Sequence, residues 1–186
     1  AWDAGRAGGS ATTGPRQLHH LAEVLESLAE VRTLDAAAAV LAGSATLLGC
    51  QAIGLAVLSA QADLRLVTPE GTAPDERPGG PGWPWPLHRA PTARQVVDER
   101  AVCQVLATDV DPHTAEQAWL AATGTRSMVL LPLVSAGAAV GVLVCGRSGG
   151  HPWSRAELRP ARTAAAAAGA VIAALTRADP TASRTR

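Results

Sequence analysis

The chain has 186 residues, a formal net charge of zero at pH 7 and only 17% charged residues, which suits one domain without the basic surplus that nucleic-acid binding requires. Its longest uncharged runs contain proline or glycine or are alanine repeats, so none is predicted to span a membrane. The three cysteines are widely spaced and form no Cys-x-x-Cys pair, which predicts reduced thiols in a cytoplasmic protein.

Two helices and a hairpin are predicted first along the chain. Apolar residues from Leu18 to Val31 recur at helical spacing, with acidic and basic residues outside the stripe. A second helix is predicted over Leu34–Leu48. Strands are predicted at Cys50–Ser59 and Asp63–Pro69, and the short link between them favours a hairpin.

The middle of the chain is less regular. Glu70–Pro91 is rich in proline and includes the cluster GWPWPLH, which is long enough to be a functional loop. A short helix capped by Thr92 is predicted at Pro91–Arg100, followed by a strand at Ala101–Ala107. Another short helix is predicted at Asp111–Gly124, with a proline near its start and a glycine at its end.

The strongest apolar pair comes late in the chain. The runs Met128–Val134 and Val140–Cys145 are joined by a turn of small residues and predict a β-hairpin. Neither run alternates apolar with polar residues, so both strands should be covered on two faces. Ser154 then caps a long helix that continues to about Arg177.

This order of elements predicts an α+β fold. We expect an antiparallel sheet with the terminal helices on one face, and with loops and short helices on the other. The domain is predicted over residues 15–177, after a disordered lead at 1–14 and before a polar tail or linker at 178–186.

Two stretches of the sequence carry a resemblance to a known family. The segment GTRSMVLLPLVSAGAAVGVLVCG, followed by HPWSRAEL and an alanine-rich helix, resembles a GAF domain, a small sensory module of signalling proteins. The segment WPLHRAPTARQVVDERAVCQV, ahead of Asp109, is similar to the helix-then-strand piece of that family. The resemblance covers about Leu18 to Leu175 and is closest in character to GAF modules that precede bacterial histidine kinase or PP2C-type serine phosphatase domains. It implies a five- or six-stranded antiparallel sheet, a pocket on the face away from the terminal helices, and dimerisation through those helices.

Several activities of this family lack their residues in the chain. The Asn-Lys-Phe-Asp-Glu signature of cyclic nucleotide binding needs three residue types that are absent, and no Cys-His pair is present to attach a bilin. The segments that carry the cysteines of free methionine sulfoxide reductases contain none here. Haem would need an axial histidine, for which His88 and His113 are the candidates, but the segment is poor in apolar residues. A haem or redox sensor is therefore the lowest of the hypotheses, and the cofactor is unknown.

No Ser-His-Asp arrangement, paired carboxylate, phosphate-cradling loop or metal site is predicted, so we expect no catalysis. We expect a bacterial sensory domain that binds a small ligand, dimerises, or does both to regulate an attached or partner output module. The alternative is a ligand-free scaffold for dimerisation or partner docking. In that case Trp83 and Trp85 would pin their loop to the sheet instead of forming an aromatic wall.

Ligand binding and dimerisation each predict a set of residues. The residues expected to line the pocket, with Asp109 or Arg126 as a polar anchor at its mouth, are Leu55, Trp83, Trp85, His88, Cys103, Val105, Asp109, Trp119, Arg126 and Met128. The residues expected at a homodimer interface of the terminal helices are Leu18, Leu21, Leu25, Leu28, Ala165, Ala168, Ile172 and Leu175.

Overall fold

The computed structural model describes residues 14–70, 72, 79–80 and 82–178. In these residues the helices are α1 (Pro15–Glu30), α2 (Leu34–Gly43), α3 (Pro91–Glu99), α4 (Ala115–Thr123) and α5 (Leu158–Ala178), with a short 3₁₀ turn at Leu87–Arg89. The strands are β1 (Ala52–Leu58), β2 (Leu64–Leu66), β3 (Pro84–Trp85), β4 (Cys103–Leu106), β5 (Ser127–Ser135) and β6 (Ala138–Arg147). The predicted lead and tail lie outside the described residues, apart from Gly14 and Ala178, and so does most of the stretch 71–78.

The described strands form one sheet in the order β3-β2-β1-β6-β5-β4, in which all neighbours are antiparallel. The hairpin of β5 and β6 lies inside the sheet and turns at Ala136 and Gly137. Their positive φ values of 49° and 79° belong to the mirror-image turns that match strand twist. The predicted α+β fold is confirmed. The sequence pattern did not predict β3, because two residues among prolines are too short to show any periodicity.

The sheet separates two hydrophobic cores. Successive residues of a strand point to opposite faces. One face packs against α1, α2 and α5 and forms the helix-side core, which includes Leu28, Leu41, Leu131, Leu143 and Ile172. The other face forms the loop-side core, which includes Trp85, Trp119, Met128, Leu130 and Val144. Because both faces are covered, the strands β5 and β6 are apolar along nearly their whole length.

Several helix ends differ from the sequence prediction. The helix α2 ends at Gly43 instead of Leu48, and the hydroxyl of Ser44 donates to the Leu41 carbonyl at 2.7 Å. The helix α5 begins at Leu158, so Pro160 lies in its first turn, where a missing N–H breaks no helical bond. None of the described helices is both long and apolar enough to cross a lipid bilayer.

The terminal helices α1 and α5 pack against each other, and α5 packs against the sheet. Most residues expected at a dimer interface are buried in the helix-side core of the single chain, namely Leu21, Leu28, Ala165, Ala168 and Ile172. They are needed there because α5 covers β5 and β6, and α1 packs against α5 and α2. Leu25 and Leu175 are partly exposed, and Leu18 is 56% exposed.

Candidate functional site

A buried carboxylate joins α4 to α3. Glu116 is fully buried, and its Oε1 accepts hydrogen bonds from the backbone N–H groups of Thr92 at 2.9 Å and Ala93 at 3.0 Å. These groups belong to the first turn of α3, where helix N–H groups have no helical partner and the helix dipole favours an anion. Thr92 was predicted to cap this helix. Ala90 takes the N-cap position instead, and the Glu116 carboxylate supplies the acceptor.

The protonation of Glu116 is shaped by opposing effects. Burial raises the pKa of Glu116 above its ordinary value of 4.5, and the N–H groups of Ala93 and Thr92 act in the opposite direction. Its Oε2 is buried and has no hydrogen-bond partner among the described residues. One oxygen of this buried group is therefore satisfied by α3, and the other is not.

The loop-side face of the sheet is filled by side chains of the chain itself. The indole of Trp119 packs where β1 and β6 have glycines. A Cβ on Gly146 would lie 2.7 Å from the Trp119 ring, and one on Gly54 would lie 3.1 Å from its Nε1. Trp85 and Met128 are fully buried in the same layer. A cavity of about 110 Å³ lies beside Trp119.

The residues predicted to line a pocket occupy different places in the structure. Trp85, Val105, Trp119 and Met128 are buried in the loop-side core, and Trp83 and Cys103 pack partly buried against it. Leu55 belongs to the helix-side core, because alternation along β1 turns it to that face, and it also borders the small cavity beside Trp119. His88, Asp109 and Arg126 are exposed.

A larger cleft of about 490 Å³ opens at the β4 end of the sheet, and we call it the edge cleft. Its lining is half polar, with Thr92, Gln104, Asp109, Asp111 and Thr114, and half apolar, with Pro91, Val105, Leu106, Val110 and Pro152. Val105 and Asp109 are the predicted site residues that the edge cleft brings together. Sequence reasoning missed the others, because the cleft forms only where α3, β4, the loop 107–114 and Pro152 meet.

Gln104 links the edge cleft to the segment between β6 and α5. Its Oε1 accepts a hydrogen bond from the Trp153 N–H at 2.6 Å, and its Nε2 donates to the Trp153 carbonyl at 2.9 Å. This segment, residues 148–157, is the β6–α5 connector. One side chain of the edge cleft thus holds both polar backbone groups of a residue in the connector.

Arg147 holds the same connector from the end of β6. Its guanidinium carbon lies 4.3 Å from the Trp153 ring centroid, and its Nη2 donates to the His151 and Pro152 carbonyls at 2.8 Å each. Its Nη1 donates to Glu157 Oε1, also at 2.8 Å. These contacts fix the position of the connector just before α5 begins.

The connector ends in a reciprocal capping arrangement. The Ser154 N–H donates to Glu157 Oε2 at 2.7 Å, and the Glu157 N–H donates to Ser154 Oγ at 3.3 Å. The Ser154 N–H, the Ser154 hydroxyl and the Arg147 guanidinium together lower the pKa of Glu157 to about 2. The predicted capping role of Ser154 is therefore present, four residues ahead of the first residue of α5.

The cysteine thiols and the other potential metal ligands among the described residues do not form a metal centre. Cys50 and Cys145 are buried, and Cys103 is partly exposed. Burial, and secondarily the Glu99 carboxylate, raise the pKa of the Cys103 thiol, which disfavours the reactive thiolate. Across residues 14–70, 72, 79–80 and 82–178, no group of three His, Cys, Asp or Glu side chains could hold a metal ion.

The chain matches a known family, and the fold described above agrees with that match. The features that agree are the sheet order, the terminal helices on one face and the short helices on the other. The sequence model of the GAF domain matches residues 21–172. The chain belongs to the GAF domain family. The resemblance found in the sequence is thereby confirmed. A search of curated protein sequences finds no match for this GAF domain.

Solved structures of other GAF domains share the fold. The GAF domain of a phosphoenolpyruvate-protein phosphotransferase from Acinetobacter is 18% identical, with a TM-score of 0.67 over 89% of this chain and 96% of that chain. The phycocyanobilin-bound GAF domain of a cyanobacterial phytochrome is 19% identical, with a TM-score of 0.65 over 87% and 96%. The GAF domain of a two-component sensor histidine kinase from Bacillus halodurans is 19% identical, with a TM-score of 0.57 over 90% and 99%.

Proposed function

We propose that this GAF domain is a non-catalytic sensing module of bacterial signal transduction. It binds a small molecule in the edge cleft and thereby regulates an attached or partner output module in the cytoplasm. Similar folds occur in proteins named as a phytochrome and a sensor histidine kinase, which supports a sensing role. The observation that carries the proposal is the position of Gln104, which lines the edge cleft and also holds Trp153.

The route from ligand to output runs through the β6–α5 connector. A ligand that hydrogen-bonds the Gln104 amide competes with the two bonds to Trp153. Trp153 packs in the helix-side core under Arg147, and Arg147 in turn holds Glu157, the residue before α5. Because α5 packs against α1, a shift of the connector reaches both terminal helices. An output module joined to either helix would respond to it.

Hydrogen exchange on the full chain tests this route. A metabolite panel is first screened for compounds that raise the melting temperature, since a ligand of the folded state stabilises it. In the wild type, a bound ligand should change exchange at the Trp153 and Glu157 amides. In Gln104→Ala the ligand should bind more weakly, and even at saturation those amides should exchange as quickly with the ligand as without it. The control Gln95→Ala changes an exposed amide of α3 that contacts Glu99, and it should behave as wild type.

Two results would contradict the sensing proposal. One is a panel in which no compound raises the melting temperature. The other is a ligand that binds the edge cleft and leaves the connector amides unchanged in the wild type.

A ligand-free scaffold is the second candidate. It is favoured by the filled loop-side face, where Trp85, Trp119 and Met128 occupy the space in which a central ligand would lie. In that role the domain would dimerise or dock a partner through its terminal helices. A silent metabolite panel together with a stable dimer would support the scaffold.

A further inference from the structure

The strand β4 forms one edge of the sheet, so one side of its backbone has no neighbouring strand. In an antiparallel pair, alternate residues direct their N–H and C=O groups towards the partner strand. The Ala107 N–H donates to the Arg126 carbonyl at 2.8 Å, in the register that β4 and β5 share. By alternation Val105 also bonds to β5. The backbone groups of Gln104 and Leu106 therefore point away from β5.

The edge cleft lies along this outer side of β4. Its lining comes from both faces of the sheet, because α3 and the loop 107–114 pack on the loop side, whereas Pro152 belongs to the β6–α5 connector. The next residue, Trp153, packs in the helix-side core. Elements from opposite faces can line one cleft together with β4 only beyond the edge of the sheet. The cleft is therefore a groove with the outer edge of β4 as its floor.

Three backbone groups on this floor have no hydrogen-bond partner among the described residues. They are the N–H and C=O of Gln104 and the N–H of Leu106, while the Leu106 C=O accepts a hydrogen bond from the Asp109 N–H at 2.9 Å. Unpaired donors and acceptors at every other residue are what an edge strand offers to a further strand. The opposite edge strand, β3, has two residues, and one of them is Pro84, which has no N–H to donate.

We propose that the edge cleft binds an extended segment of a partner polypeptide, which adds to β4 as a further antiparallel strand of the sheet. An antiparallel direction is chosen because all neighbouring strands of the sheet are antiparallel. This inference goes beyond the proposed function, since it concerns a polypeptide and holds whether or not a small molecule also binds. Because both would occupy the edge cleft, each would displace the other.

The two walls of the groove define the side chains of the segment. Residues directly opposite each other in an antiparallel pair have side chains on the same face. A residue opposite Gln104 therefore faces the connector, to which the Gln104 side chain is bonded, and Pro152 offers it an apolar contact. Its two neighbours face the loop-side wall, which contains Asp109 and Asp111. No lysine, arginine or histidine is among the lining residues, so charge complementarity favours basic neighbours.

An amide NMR titration of the full chain with a short peptide tests the added strand. The probe is acetyl-Arg-Val-Arg-amide, with its valine expected opposite Gln104 and its acetyl carbonyl opposite the Leu106 N–H. We expect saturable downfield shifts of the Gln104 and Leu106 amide protons, because both gain an acceptor. The Val105 amide proton should change little, because it already bonds to β5.

Methylated probes distinguish strand addition from other modes of binding. A methyl group on the valine nitrogen removes the donor to the Gln104 carbonyl, so the affinity should fall by about tenfold. A methyl group on the nitrogen of the second arginine points away from β4, so the affinity should stay within about twofold. Acetyl-Glu-Val-Glu-amide should bind about tenfold more weakly than the arginine probe, because its charges meet Asp109 and Asp111.

Variants of the chain test the same contact from the other side. Leu106→Pro removes an N–H that points out of the sheet, which an edge strand tolerates, and it should weaken binding by about fivefold more than Leu106→Ala. The control Asp98→Asn removes an exposed carboxylate of α3 that pairs with Arg94, and it should leave the affinity unchanged. If Leu106→Pro does not fold, the two methylated probes decide the question on the wild type.

The outcomes separate this inference from the sensing proposal. Equal affinities of the two methylated probes would overturn strand addition, as would a titration without saturable shifts. A glutamate probe that binds as tightly as the arginine probe would overturn the assignment of a basic segment. The sensing proposal would survive these results if a compound from the metabolite panel altered the connector amides. Alternating shifts at Gln104 and Leu106 with a silent panel would support strand addition and contradict sensing.

Discussion

Glu116 joins two helices through a side chain that lies 24 and 23 residues from its backbone partners, Thr92 and Ala93. A local cap would have to come from the residues just before α3, and the N-cap residue Ala90 has no side-chain acceptor. Because the acceptor comes from α4, the position of one helix depends on the other.

Substitution of Glu116 should separate its structural role from its charge. Glu116→Ala removes the acceptor of two N–H groups and leaves a void, so the free energy of unfolding should fall by about 2–4 kcal/mol. Glu116→Gln keeps an acceptor oxygen and should lose less. Urea denaturation at pH 7 measures both effects, and equal losses would show that the hydrogen bonds to α3 contribute little.

Because the pKa of Glu116 is raised, the stability of the folded protein should depend on pH. The folded state binds the proton more tightly than the unfolded state, so the resulting stability is fully present below the ordinary value of 4.5. It is lost as the pH rises through the folded-state pKa. The wild type should therefore lose stability relative to Glu116→Gln as the pH is raised from 4 to 7. A constant difference between the two proteins would contradict this.

At the scale of elements, three sets of hydrogen bonds fix the β6–α5 connector. Gln104 of β4 holds its backbone, Arg147 of β6 holds two of its carbonyls, and Ser154 pairs with Glu157 at its end. The start of α5 is therefore tied to two strands of the sheet. This is the physical basis of the route proposed from the edge cleft to the terminal helices.

The contribution of the connector to the free energy of unfolding should decrease in acid. The folded-state pKa of Glu157 is about 2, below the ordinary 4.5, so its contribution is present above pH 4.5 and lost as the pH falls towards 2. Because Glu157 is exposed, its contribution to the free energy of unfolding should be only about 0.5–1 kcal/mol. The difference in unfolding free energy between wild type and Glu157→Gln should shrink over this range. Glu26→Gln, an exposed change on α1, serves as the control and should show no such trend.

At the scale of the whole molecule, the terminal helices have both a buried side and an outer side. Ile172 is fully buried against the sheet, whereas Leu18 is 56% exposed on α1. A homodimer through these helices must use the outer side. An exposed leucine is a suitable contact for a second copy, because pairing would remove its apolar surface from water.

Light scattering on variants should show whether the outer side of the terminal helices forms the dimer contact. If the domain dimerises as proposed, Leu18→Glu should give a folded monomer with nearly unchanged stability. Ile172→Glu should unfold the protein, because it places a charge in the helix-side core. His20→Glu, an exposed change on another side of α1, should leave the dimer intact. A dimer that persists in Leu18→Glu would show that α1 is not the contact.

The sequence by itself determined the elements whose signal is local. The apolar stripe of α1 and the two runs of β5 and β6 follow from periodicity, and they were sufficient to predict an α+β fold with helices on one face. Only the tertiary structure decided the site. The bond from Glu116 to α3 and the clamp of Gln104 on Trp153 join residues 24 and 49 positions apart, and no local pattern records such pairs. Likewise, the filling of the loop-side face depends on Trp119 meeting glycines of two other elements. Periodicity reports which face of an element is apolar, and packing decides what meets that face.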